Sequence, residues 1–120
     1  IKNNNRNFSR ITRFSDELHQ ILGNMFISNI FIPEAGLLTV TKVNVSDDLK
    51  YAKVFLSFLE NKLTVQEVMT IVESKNNLIR KYISTKVTIK YLPQLKYYYD
   101  DTFSHVERIE NLIEKIHKYD

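Results

Sequence analysis

The stretch TVTKVNVSDDLKYAKVFLSF, Thr39 to Phe58, decides how this chain folds. On either side of SDDLK, apolar and polar residues alternate, the period of a strand with one buried face. Leu37 to Val45 and Tyr51 to Leu59 therefore read as two strands, rich in β-branched and aromatic residues. A short polar loop between such runs makes an antiparallel hairpin. Ser46, Asp47 and Asp48 suit that loop because their side chains bond nearby backbone amides. An acid/base pair would need convergent carboxylates, one with a raised pKa. Adjacent residues in a wet turn point apart, so Asp47 and Asp48 read as turn formers.

Outward from the hairpin, helices come on both sides. Upstream, Phe8, Ile11, Phe14, Leu18, Ile21, Leu22, Met25 and Phe26 recur at steps of three and four and form one stripe. Residues 1–7 are polar and read as a flexible segment ahead of that helix. Pro33 and Gly36 punctuate a connector. Downstream, Thr64 and Glu67 form a capping box, and Val65, Val68, Met69 and Val72 give the following helix an apolar face. Ser74 to Asn77 is a poor helix former, so a break is expected there. A second short helix follows through Leu78, Ile79, Tyr82 and Ile83. Val87 to Tyr91 reads as the third strand, extended past Pro93 by Leu95 to Tyr99. Ser104 and Glu107 then cap a closing helix with a stripe from Val106 to Ile116. The fold class is α+β: a three-stranded sheet backed by helices, with domain 8–101 followed by an amphipathic helix over 102–120.

Composition excludes several functions. At 120 residues, with 43% hydrophobic and 12% aromatic residues, the chain is one domain with enough apolar mass for a core. It has no cysteine, which removes disulfides and thiolate metal sites. No apolar run reaches the length of a membrane span. Gly23 and Gly36 are the only glycines, so neither a Walker loop nor a dinucleotide fingerprint can be present. His19, His105 and His117 have no partner at zinc-site spacing. The expectation is a protein with no catalytic residue, no metal, no cofactor and no small-molecule substrate.

The charge is uneven. From Ser74 to Lys96 there are six bases and no acid; from Asp100 onward there are six acids and three bases. Lysine and arginine neutralise phosphates and release counterions, the main source of sequence-independent affinity for nucleic acid. The candidate RNA-binding residues are Lys75, Asn76 and Asn77 at the helix break, Arg80 and Lys81 in the helix after it, and Lys86 and Lys90 flanking the third strand. Arg10 and Arg13 on the first helix join them. With Val87, Ile89 and Tyr91 turned to the helices, Thr88 and Lys90 would face outward. Tyr97 and Tyr99 share one strand face and Tyr98 takes the other, which favours core packing over a base-stacking platform.

The element order is that of a type II KH domain, and the residues resemble the bacterial ribosome-binding factor A family. Thr39–Phe58 is similar to that family's hairpin, T-V-x-x-V-x-V-S-x-D-L-x-x-A-x-V-F. Leu78-Ile79-Arg80, Tyr91-Leu92-Pro93-Gln94-Leu95-Lys96-Tyr97 and Tyr99-Asp100-Asp101-Thr102 resemble further segments of it. The resemblance implies a non-enzymatic assembly factor that binds immature small (30S) ribosomal subunits and assists late 16S rRNA maturation near the decoding end. It implies a monomer acting in the cytoplasm, away from membranes. A chain beginning at Ile1 also suits an organelle protein whose leader was removed. Where the family has Ala-x-Gly at the break, this chain has Lys75-Asn76-Asn77, and a left-handed Asn77 is the expected means of keeping the kink. The absent GxxG loop argues against the alternative, a generic KH module reading short single strands. A protein-interaction domain using the last helix is the other alternative.

Overall fold

A computed structural model describes residues 2–102 of the chain, with side chains from Ser9 onward. The elements run α1 (Lys2–Ser28), a 3-10 turn (Pro33–Ala35), β1 (Leu37–Val45), β2 (Tyr51–Leu59), α2 (Val65–Ser74), α3 (Asn76–Ser84) and β3 (Gln94–Tyr99). The closing helix expected over 102–120, with His105 and His117, lies outside the described residues beyond Thr102.

The hairpin forms as expected. β1 and β2 pair antiparallel from Leu37↔Leu59 to Val45↔Ala52, with a bulge at Thr41. Its loop is tied by its own polar side chains. Asp48 Oδ1 accepts from the Ser46 hydroxyl at 2.6 Å and from the Lys50 amide at 3.0 Å. Ser46 Oγ in turn accepts from the Tyr51 amide at 3.0 Å. The Ser46 hydroxyl, then the Lys50 N–H, hold the Asp48 carboxyl below its ordinary value of 3.8. That is the signature of a turn carboxylate, opposite to the raised pKa of a general acid.

β2 is the central strand, since β3 pairs with its other edge in parallel, from Tyr51↔Gln94 to Leu56↔Tyr99. Val54, Leu56 and Phe58 of β2 and Leu95 and Tyr97 of β3 are buried in one core with Leu18, Leu22, Val72 and Ile79 of the helices. All three helices therefore cover the same face of the sheet, as the sequence predicts.

α1 also closes the free edge of β1. His19 Nε2 meets the Val40 carbonyl at 2.7 Å, and the Val45 amide donates to Ser15 Oγ at 3.3 Å. Ser15 and His19 lie one turn apart, so one helix face blunts an edge that would otherwise offer unpaired backbone to another strand. This gives His19 a structural role. At the other end of the core, the Thr64 hydroxyl accepts from the Glu67 amide at 3.2 Å, and the Glu67 carboxylate accepts from the Thr64 amide at 3.4 Å, closing the expected capping box. Val65, read as part of the α2 apolar face, stays exposed; Val68, Met69 and Val72 carry it.

Three expectations change. The first helix begins at Lys2 rather than Phe8, so no break in helix marks off residues 1–7. Adding residues to an existing helix is far easier than nucleating one, and a polar sequence does not stop it. At the helix break, Asn77 is not left-handed: Leu49, Glu60 and Gly36 are the described residues with positive φ. The kink is made at Lys75, with φ −96° and ψ 8°, a bridge conformation open to residues with side chains. The third strand is not Val87–Tyr91. Those residues form an irregular connection, with Tyr91 77% exposed, and the strand starts at Gln94, directly after buried Pro93. A parallel partner for β2 must begin level with Tyr51, at the hairpin end, so the chain leaving α3 uses residues 85–93 to return there.

Candidate nucleic-acid interface

The structure separates the basic residues that the sequence groups together. Lys75 sits half-buried at the break. Asn77 and Lys81, four residues apart on α3, share an exposed helix face with Leu78, which is 53% exposed. Arg10 and Arg13 are exposed on α1, which packs beside α3. These residues make one helical surface.

Two of the candidates are engaged elsewhere. Arg80 is half-buried, and its guanidinium donates to the Pro93 carbonyl at 2.5 Å and the Leu92 carbonyl at 3.3 Å. It thereby anchors the connection that leads into β3, satisfying carbonyls that have no ladder partner there. Asn76 Oδ1 accepts from the Tyr97 hydroxyl at 2.9 Å. Burial pushes the Tyr97 phenol well above its ordinary value, against the opposing charge of Arg80, so it is neutral and a steady donor. Tyr97 thus belongs to the core, as expected, and joins β3 to the start of α3.

Lys86 and Lys90 do not flank a strand. Lys86 follows α3, its ammonium 5.6 Å from the Tyr82 ring centroid. Lys90 lies in the connection at 5.5 Å from Tyr91, lining a cleft with Leu49 and Tyr51 at the hairpin end, away from the break. Thr88 is exposed, but so is Ile89 at 36%, because no ladder fixes an alternation there.

The opposite face of the sheet went unread in the sequence. Its outward residues are Lys42 and Asn44 of β1, Tyr51, Lys53 and Phe55 of β2, and Lys96 and Tyr98 of β3. Phe55 and Tyr98 are register partners with rings stacked at 5.5 Å and 27°. The signal was present as lysines set between the hydrophobes of TKVNV and YAKVF, but only the pairing of β3 brings Lys96 and Tyr98 alongside them. Among the described residues no group of three His, Asp or Glu side chains can hold a metal ion, and no helix is long and apolar enough to cross a membrane.

A three-stranded sheet in this order, with two helices meeting at a break on one side and no GxxG loop, defines a KH type II-like domain. The family model described as Ribosome-binding factor A matches residues 10–113. A protein of that name from Shewanella loihica is 31% identical over 112 residues, covering 92% of this chain and 80% of the relative. The one from Halothermothrix orenii is 33% identical over 107 residues, covering 89% and 88%. The chain belongs to the ribosome-binding factor A family. The crystal structure of ribosome-binding factor A from Thermus thermophilus has the same fold, with a TM-score of 0.67 at 17% identity over 74% of this chain and 93% of that one. A Thermus thermophilus ribosome-binding factor A homology model, fitted into the cryo-EM map of a 30S complex, superposes with a TM-score of 0.60 at 19% identity, covering 72% of this chain and 90% of that one.

Proposed function

We propose that this protein is a non-enzymatic assembly factor that binds immature 30S subunits and assists late maturation of 16S rRNA, acting as a monomer in the cytoplasm. The observation that carries this reading is family membership over most of the chain, joined to a cationic helix–break–helix surface. The 30S complex of the Thermus relative supports the choice of partner. Lys75, Asn77 and Lys81, with Arg10 and Arg13 on the neighbouring helix, are the residues offered to rRNA. They hold a folded RNA by phosphate contact and shape, with no bond made or broken. Lys86 and Lys90 extend the basic character beyond the break. Arg80 and Asn76 contribute through donors not already used within the fold.

Sedimentation of the tagged protein from gently lysed cells tests the reading. It should co-migrate with free small subunits carrying unprocessed 16S ends and be absent from translating ribosomes. Lys75→Glu with Lys81→Glu should move it towards the top of the gradient and reduce the salt slope of subunit binding by about 2, near one per lost phosphate contact. Co-migration unchanged in a folded double variant would remove the break surface from the interface. A wild-type protein at the top of the gradient, even at low salt, would favour a protein partner instead.

A further inference from the structure

We propose that the open face of the sheet is a second RNA-contact surface, built for an unpaired single strand, with bases stacked on Tyr51, Phe55 and Tyr98 and phosphates held by Lys42, Lys53 and Lys96. This goes beyond the helix–break surface, since the helices cover the other side of the same strands.

The charge pattern is the first argument. Each strand contributes one lysine, and none of the three contains an Asp or Glu. Lys53 and Lys96 are register partners on adjacent strands, both exposed on the outward face. Like charges set opposite each other repel, so folding gains nothing from this pair. An anion lying between them removes the repulsion. Asp100, the carboxylate just past β3, is near enough to Lys42 to feel its charge, but accepts from Thr41 Oγ1 at 2.7 Å. It bounds the patch at one end and leaves Lys53 and Lys96 uncompensated.

The aromatic pattern is the second. Tyr51 is 48% and Tyr98 39% exposed, on a face where an apolar ring has no core to enter. The Lys96 ammonium lies 6.0 Å from the Tyr51 centroid, and that of Lys42 5.8 Å from Phe55. Rings for bases thus stand beside cations for the backbone that links them, the combination that binds single strands without strong sequence preference. Outward residues recur about every 6.6 Å along a strand, a spacing suited to an extended chain of nucleotides rather than a duplex. A helix from a protein partner would need a continuous apolar stripe, and the lysines interrupt one.

The test is fluorescence anisotropy with a fluorescein-labelled ten-nucleotide uridine RNA, using the full chain between 50 and 300 mM KCl. Tyr98→Leu, which keeps apolar bulk but removes the ring, should weaken binding about tenfold with the salt slope unchanged. Lys53→Gln with Lys96→Gln should lower that slope by about 2 without harming the fold, since it removes a repulsive pair. Lys75→Glu with Lys81→Glu should retain most of its affinity for this probe. Wild-type affinity in both sheet variants, or no binding by the wild type at 50 mM KCl, overturns the inference and leaves the helix–break reading standing. Subunit binding lost only in the Lys75/Lys81 variant, with probe binding intact, has the opposite meaning.

Discussion

The two faces of this sheet are made by alternate residues of the same strands and do unlike things. On β2, Ala52, Val54, Leu56 and Phe58 point to the helices and are at most 2% exposed. Tyr51, Lys53 and Phe55, one step out of phase, carry charge and half-open rings. The inner face gives every position to stability, while the outer face tolerates a like-charge pair and exposed tyrosines. A one-residue step in a strand thus divides a folding surface from a binding surface, and substitutions on the two sides should have different readouts.

Leu56→Ala gives the largest expected effect. Leu56 is fully buried at the centre of the central strand, where the sheet cannot collapse around a cavity. Urea unfolding should show a loss of about 3 kcal/mol with the m-value unchanged. A loss below about 1 kcal/mol would mean that the inner face is loosely packed, and the division between the faces would lose its basis.

Much of the inner face was legible. Alternation over Leu37–Val45 and Tyr51–Leu59, the Ser-Asp-Asp turn and the Thr64/Glu67 cap are local signals, and each appears where the sequence puts it. The position of β3 was not legible, because Val87–Tyr91 alternates as well as Gln94–Tyr99 does. The choice between them rests on register with β2, a contact more than forty residues away in the chain, between Ala52 and Leu95. The outer face was hidden for the same reason, since its lysines become neighbours only through that pairing. Arg80 was misleading in another way: its charge suggested phosphate, but the carbonyls of Leu92 and Pro93 that claim it belong to an irregular segment with no periodicity to read.

Arg80→Gln sharpens the contrast behind the inner face. It removes charge-assisted donors from two backbone carbonyls that have no ladder partner there, and should cost about 1–3 kcal/mol in urea unfolding. Lys81→Gln, one residue on but exposed, should stay within about 0.5 kcal/mol of the wild type. Equal stability of the two variants would mean that Arg80 is free to serve RNA as Lys81 is.

The smallest effect has the opposite sign. Lys53→Glu replaces the repulsion with Lys96 by an attraction across β2 and β3, on a face where the side chains stay in water. Exposed pairs of this kind are worth only a few tenths of a kcal/mol, so urea unfolding should show a gain of about 0.5 kcal/mol at low salt, fading as salt screens it. The same substitution puts a carboxylate where a phosphate is proposed to lie, so affinity for single-stranded RNA should fall while stability rises. Opposed signs from one residue are what a binding surface laid on a finished fold requires. A variant that lost both stability and RNA affinity would instead mean that Lys53 supports the sheet itself, and the outer face would be structural like the inner one.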